Sequence, residues 1–538
     1  MGRLAAIKKN NRKNNSGGIA PDALHVVNTL RIAITHFNKL FHASKDKEPL
    51  LITFIYLWMT QQLDSLTAAV DIPSLSRVTG KEACAEHRLR IININRISWV
   101  EYAQCYSTST GSVWLWQPIP TALHHIFYSY VKTLATIAQK PLLNLTLKEQ
   151  LWRFINSSWK TPKLCAQFGR LRKDVFFRYF TIMTLQSPYL STPAKSVLLG
   201  DKTLHHHSAI AYQQKNSDQI RYEIFKAHND YLERIVQAGS RYRINLALDN
   251  AHYNLSLLLD TKVTLPAYLT TAGKIIAFER QKNPNDHGYQ YVELSTIWVG
   301  SERALPLDDV RTFFLALDNN VKQHTVAKVA TKTQLKAYYN ALTYQLAFQF
   351  LILTGARPTH AISLETRRCY GTLQSTISDK GRYRTLYLCD YLQQTITHYL
   401  SIQQNLLTQL GSNASSPFLW FLFDENNQPQ PLNARCMRQF MQQHWPYQSS
   451  KIKNIVPYCL RHTFAQLALS STDPQLTTQH IDRLMGHSSF GEHLGSDQCF
   501  PINKKILLLF LNQVSKKLYF SLEHSTLFSF SHIHLLQE

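Results

Sequence analysis

Acidic residues are scarce in this chain: 35 Asp and Glu stand against 58 Lys and Arg, leaving a formal net charge of +23 over 538 residues. A chain this basic repels itself unless it meets a polyanion, and nucleic acid is the commonest large one; a basic surface with no partner is the plainer alternative. The cysteines (Cys84, Cys105, Cys165, Cys369, Cys389, Cys436, Cys459, Cys499) are dispersed, with no Cys-x-x-Cys pair among them. That argues against a zinc ribbon and a secreted disulfide framework and points to a reducing cytoplasm. Long apolar runs are missing too. The longest, Leu50–Met59 and Ile506–Leu511, are too short to span a bilayer and read as buried helices, so no membrane partner is expected. The opening MGRLAAIKKNNRKNNSGGIA has no apolar stretch behind it and does not read as a secretory signal. No internal repeat is present. The run His205–His207 invites a metal, but three adjacent side chains rarely converge on one tetrahedral ion, so it reads as polar surface. Neither metal nor cofactor is expected.

What is there is enough for several cores: 44% of residues are hydrophobic and 11% aromatic. The length implies about two to four domains. Residues 1–20 read as a flexible basic tail. Residues 21–320 read as mostly helical, in one region or two subdomains, with apolar residues at three and four spacing through LHVVNTLRIAITHFNKLF and YEIFKAHNDYLERIVQ. One strand-like piece, YQYVELSTIWVG (Tyr289–Gly300), stands out, and the turn cluster QKNPNDHG before it is a candidate break.

The last third carries the chemistry. Leu335, Tyr339, Leu342, Leu346, Phe350 and Leu353 draw one apolar stripe along a helix that runs into TGARPTHAISL. There Gly355 lets the chain turn and Arg357 projects from the turn, anchored by apolar residues on both sides, as suits a bidentate grip on phosphate. Alone it would read as a capping or salt-bridging arginine. In STISDKGRYRTLYLCD two β-prone runs flank a hairpin turn with Lys380 at its tip. VPYCLRHTFAQLAL brings Tyr458, Arg461 and His462 to the start of another helix, whose N–H groups suit an anion. In STDPQLTTQHIDRLMGH, Asp473 is the expected N-cap, Pro474 the first helical residue and Gly486 the stop, leaving His487 at a helix end.

The order Arg, Lys, Tyr-x-x-Arg-His, Gly-His resembles the tyrosine recombinases, or phage-type integrases, over about residues 321–499. The resemblance rests on Thr354-Gly355-Ala356-Arg357, the hairpin Lys380, Leu460-Arg461-His462-Thr463-Phe464-Ala465 and Leu484-Met485-Gly486-His487. Lys380 lies 23 residues and Arg461 104 residues after Arg357, and His487 lies 26 after Arg461. The resemblance implies a metal-free strand exchange. Arg357 and Arg461 would clamp the scissile phosphate, Lys380 would protonate the leaving 5′ oxygen, and His487 would position the phosphate. Tyr458 fills a place that the family gives to a histidine or lysine; a phenol with a pKa of about 10 is a poor base there.

The family's nucleophilic tyrosine should follow His487, but the neighbourhood reads SSFGEHLGSDQCF, with Ser496 about where the phenol belongs and no tyrosine before Tyr519. A serine hydroxyl is a far weaker acid and has no evident base beside it. Three readings stay open: Tyr519 swinging into its own or a neighbour's site, Tyr458 as nucleophile, or a protein that binds DNA without cutting it. The expected fold is mainly α with a small β-hairpin sheet: a recombinase-like catalytic domain over 321–538 behind a helical DNA-binding and assembly region over 21–320. The expected function is site-specific DNA recombination or integration, as in a mobile genetic element. Its partner would be double-stranded DNA, with self-association on it and a place for other recombinases. The rival is a non-catalytic DNA-binding partner or regulator of a recombinase; a nuclease or topoisomerase-like enzyme is a third option.

Overall fold

Helix formation starts where the apolar periodicity does. In a computed structural model, Ala23–Ala43 (α1) is helical and buries Val26, Val27, Leu30, Ala33, Ile34 and Phe37, one stripe at helical spacing. Glu48–Met59 (α2), with Pro49 in its first turn, is the apolar run noted above, and all of Leu50–Met59 is buried. The residues described are 23–43, 47–78, 83–94, 96–108, 111–133, 143–157, 173–187, 189–200, 212–241, 273–283, 288–301, 303–326, 329–369, 374–379, 382–409, 416–445, 455–486, 501–520 and 534–535. The chain divides into two compact units, Met1–His205 with Lys215–Val299, and His206–Gln214 with Gly300–Glu538. The architecture is mostly helical with small sheets. Among the described residues no helix is long and apolar enough to cross a membrane.

The first unit holds α1, α2, Thr121–Thr133 (α3), Leu145–Asn156 (α4), Tyr179–Gln186 (α5) and Ser217–Arg241 (α6). It also holds a four-stranded sheet that the mostly helical reading of this region did not anticipate: Ser76–Arg77 (β1), Arg88–Ile94 (β2), Ile97–Thr108 (β3) and Gly111–Pro118 (β4), in that order. β1 runs parallel to β2, and the other pairs are antiparallel. The physical reason is burial on both faces: Trp99 to Ala103 are buried in succession, so β3 shows no period-two alternation. A buried charge network locks this sheet to its surroundings. Glu101, fully buried, accepts from Arg90 Nε and Nη2 at 2.8 and 2.6 Å and from Arg221 Nη2 at 3.1 Å. Arg221 Nε and Nη1 also donate to the carbonyls of Trp116 and Ile275, and Arg90 Nη2 to that of Phe278. The candidate break at QKNPNDHG begins inside a strand: Phe278–Lys282 (β5) pairs antiparallel with Tyr289–Glu293 (β6), with Lys282 opposite Tyr289, and residues 284–287 lie outside the described residues.

The second unit is built around Lys332–Thr354 (α8), which carries the predicted stripe and is buried along most of its length. Thr331 caps it, accepting from Gln334 N while the Gln334 side chain accepts from Thr331 N. Against α8 pack Leu307–Gln323 (α7), Asp390–Gln409 (α9), Tyr458–Leu469 (α11) and Pro501–Lys517 (α13). Ala434–His444 (α10) lies beside α7, and Thr478–Met485 (α12) beside α11. The predicted hairpin is present: Gln374–Asp379 (β7) pairs with Arg382–Tyr387 (β8), ending at Asp379 opposite Arg382. A shorter one joins Phe421–Phe423 (β9) to Pro429–Pro431 (β10). One boundary differs from expectation. Helix α12 starts after Thr477, whose hydroxyl accepts from His480 N in a capping box, so Asp473 is not the N-cap. Asp473 and Pro474 lie in a turn closed by a bridge between Thr472 and Gln475.

Candidate functional site

Three of the sequence motifs meet at one side chain. Arg461, in the first turn of α11 and fully buried, donates through Nη1 to the carbonyl of Gly355 and through Nη2 to that of Met485 at 2.6 Å. Both carbonyls lie at helix C-termini, where the backbone carries partial negative charge and lacks helical partners. One guanidinium fork thus joins the end of α8, the start of α11 and the end of α12.

The rest of Arg-His-Thr-Phe-Ala finishes the joint. His462 Nδ1 lies 2.8 Å from Ser301 Oγ. Thr463 Oγ1 accepts from Leu305 N at 2.9 Å. Phe464, fully buried, covers Gly355, whose backbone is left-handed at φ 62°. A Cβ at Gly355 would lie 2.3 Å from the ring, so glycine is required there on two counts. Gly486, at φ 64°, ends α12 as expected, and a Cβ there would lie 2.6 Å from the Arg384 guanidinium.

Arg384, from strand β8, is a residue the sequence reading passed over. It is buried and donates to the Leu484 carbonyl at 3.0 Å, while Arg483 reaches back to the Thr385 carbonyl at 3.2 Å. These bonds fix the hairpin against α12. Its tip, Lys380, lies outside the described residues, as do His487, Ser496 and the His205–His207 run.

Arg357, two residues after the left-handed Gly355, stands half-buried at the N-cap position of the short helix Pro358–Ala361 and makes no side-chain capping bond to it. Its charge acts on two phenols, Tyr458 and Tyr212. Tyr212 was not among the expected site residues. Its oxygen lies 3.1 Å from that of Tyr458, its ring 4.5 Å from the His462 ring, and the Arg461 guanidinium 5.7 Å from its ring centre. Nothing local in HSAIAYQQKN marks it; only the folded second unit brings it here.

The electrostatics divide the two phenols. Burial pushes Tyr458 up, and its bond to Tyr212 adds to the rise. Burial works in the same direction on Tyr212, but the Arg461 charge, hydrogen bonds from Tyr458 and Arg461, and the Arg357 charge together bring that phenol below the ordinary tyrosine value. His462 is held down to about 4, by burial first and then by the charges of Arg303 and Arg461, so it is neutral at pH 7. The structure therefore gathers Arg357, Tyr458 and Arg461 with Tyr212 and His462. Tyr519 makes its contacts elsewhere: 70% exposed just past α13, it has the Arg311 guanidinium 4.4 Å from its ring centre.

The arrangement offers two cations, one phenol biased toward ionisation, a second phenol bonded to it and a neutral imidazole. That set can hold an oxyanion and bring an aryl oxygen against it. Among the described residues no three His, Cys, Asp or Glu side chains converge as a metal site.

No family model and no curated protein matches the chain. Among solved structures, XerH site-specific recombinase bound to its difH substrate, a pre-cleavage complex, is 12% identical with a TM-score of 0.25, over 70% of this chain and 85% of that one. XerA recombinase is 12% identical with a TM-score of 0.23, over 66% of this chain and 92% of that one. A post-cleavage XerH complex with palindromic difH is 11% identical with a TM-score of 0.24, over 72% and 88%. At such scores the likeness decides neither fold nor function.

Proposed function

We propose that the chain is a site-specific DNA recombinase or integrase working by metal-free phosphoryl transfer through a 3′-phosphotyrosine. The observation that carries the reading is the convergence on Arg461 of the three motifs whose order suggested it, with Arg357 and Tyr458 alongside. In this reading Arg357 and Arg461 offset the charge that grows on the phosphate oxygens in the transition state. Lys380 protonates the leaving 5′ oxygen and His487 positions the phosphate. Tyr458 donates a hydrogen bond, because a phenol with a raised pKa keeps its proton at neutral pH.

The second unit carries the chemistry, and the first serves DNA binding and assembly. Duplex DNA is the partner, in keeping with the +23 charge, and the protein self-associates on it. The test is binding and cleavage by the full chain on nicked duplexes taken from the flanks of its own gene, stopped in detergent. Salt-sensitive binding together with a covalent protein–DNA adduct is the expected result. Absence of the adduct refutes the reading.

A second reading, a DNA-binding partner of a recombinase that does not itself cut, is favoured by one observation: Arg461 has no exposed surface, and two of its nitrogens are occupied by main-chain carbonyls. Salt-sensitive binding with no adduct would select it.

A further inference from the structure

The segment after His487 offers no phenol before Tyr519, yet a phenol already stands against the two arginines. We propose that Tyr212 is the nucleophile: its oxygen, held between Arg461 and Tyr458, attacks the DNA phosphate, so the attacking residue comes from the short segment 206–214 that belongs to the second unit. This inference rests on the recombinase reading above and names the residue that reading leaves unassigned.

Position supports it first. Tyr212 is only 8% exposed, and both it and the next residue are pinned: the Gln466 side chain donates to the Tyr212 carbonyl, and Ser301 N donates to that of Gln213 at 3.0 Å. Gln466 and Ser301 bracket the site, the first being five residues beyond Arg461 on the same helix and the second being bonded to His462. A phenol held in this way does not need to be ordered when substrate arrives.

The rival phenols fit less well. Tyr519 is exposed and stacked under Arg311. Tyr458 is the proton-keeping partner of the pair. A tyrosine that merely fills the core is pushed up by burial, as Tyr339, Tyr391 and Tyr399 of the same unit are, whereas Tyr212 moves down. Simple packing against an arginine accounts for one cation at the ring. It does not account for the added charge of Arg357 or for the Tyr458 hydroxyl 3.1 Å from the same oxygen.

The step balances without redox chemistry. The Tyr212 phenol sheds its proton to water, and its oxygen forms a bond to phosphorus. The bond from phosphorus to the 5′ oxygen breaks, its electron pair leaves on that oxygen, and Lys380 supplies a proton to it. The proton released to water restores Lys380. A phosphodiester and a phenol become an aryl phosphodiester and a 5′ hydroxyl, and the reverse sequence reseals the strand.

The test uses the full chain and nicked duplexes from the flanks of its own gene, with any adduct digested and mapped by mass spectrometry. The expected result is a nucleotide-bearing peptide that contains Tyr212. The adduct should fall by at least about a hundredfold in Tyr212→Phe and persist in Tyr519→Phe. Mapping in the unaltered protein keeps the test valid even if Tyr212→Phe folds poorly. A wild-type adduct on any other residue overturns the proposal and leaves the recombinase reading standing, as does an adduct that persists or rises in Tyr212→Phe, which would make the phenol a plug over the arginines. Absence of any wild-type adduct on a duplex that is bound in a salt-sensitive way overturns both.

Discussion

Replacing Gly355 with alanine tests the joint at the centre of the second unit. The residue is left-handed, at φ 62°, where a side chain costs about 1–2 kcal/mol. The new methyl would stand 2.3 and 2.5 Å from two Phe464 ring carbons. That ring is fully buried between α8 and α13, with Phe510 at 5.7 Å, so it cannot swing into solvent. Overpacking of this kind costs about 1–3 kcal/mol, and the lower entropy of an unfolded alanine returns about 0.4–1. The expected net loss is about 2–4 kcal/mol, a large share of a domain's usual stability. The two units need not unfold together, so the measurement is native-state hydrogen exchange read on peptides from α8. Gly273→Ala, also left-handed at φ 74° but with nothing within 4 Å of its Cβ, should lower stability in the first unit by at most about 1.5 kcal/mol after the same entropy return. Phe464→Leu should recover at least about 1 kcal/mol in a double-mutant cycle with Gly355→Ala. Gly355→Ala indistinguishable from wild type within about 0.5 kcal/mol would refute the close approach of α11 to this turn.

Three further outcomes follow from the same reasoning. Glu101→Gln leaves two buried guanidinium groups short of a carboxylate and should cost about 3–5 kcal/mol by thermal denaturation, against less than about 0.5 for Glu149→Gln in an exposed pair with Arg153; equal shifts would count against the network. His462, held down to about 4, binds fewer protons folded than unfolded, so its stabilisation is complete above about pH 6.5 and drains away as pH falls toward 4. Exchange on α11 peptides should steepen over that window in wild type and flatten in His462→Gln; parallel profiles would show that the imidazole is not buried neutral. Arg357→Gln should lower the log–log salt slope of DNA binding by about 1 if the residue meets a phosphate, whereas an unchanged slope would place it outside the DNA contact.

How much of this was legible in the sequence depended on how local each signal was. The stripe from Leu335 to Leu353, the hairpin around Lys380 and the glycine stop at Gly486 are set by neighbours within a few residues, and they appear where expected. The start of α12 was misplaced because Asp473-Pro474 and Thr477 offer competing signals, and the one that closed a capping box prevailed. The sheet from Arg88 to Pro118 escaped because β3 is buried on both faces and so loses its alternation. Tyr212 escaped for a different reason. Its importance lies in the field of Arg461 and Arg357, which are remote in sequence, and no pattern in its own segment encodes that field.

Arg461 shows why the family-like order of motifs and the burial of the site are one fact. A buried guanidinium is costly unless its donors are satisfied, and here the acceptors are carbonyls at the ends of α8 and α12, already partly negative and lacking partners. Those two carbonyls come from different helices, so they must be spanned by a planar fork; an ammonium group presents its charge at one point. Arg461→Lys keeps the charge yet leaves one carbonyl unpaired, and should cost about 3–5 kcal/mol on α11 peptides by hydrogen exchange. It should also let Tyr212 move part of the way back toward an ordinary phenol, since the charge that opposes burial at that oxygen is kept while the hydrogen bond from the guanidinium is lost. The phenolate absorbance of wild type minus that of Tyr212→Phe reports this directly, and in the Arg461→Lys background the corresponding difference should move to higher pH. If lysine preserved both stability and that titration, Arg461 would be only a source of positive charge, and the geometry of the fork would have no part in assembling the site.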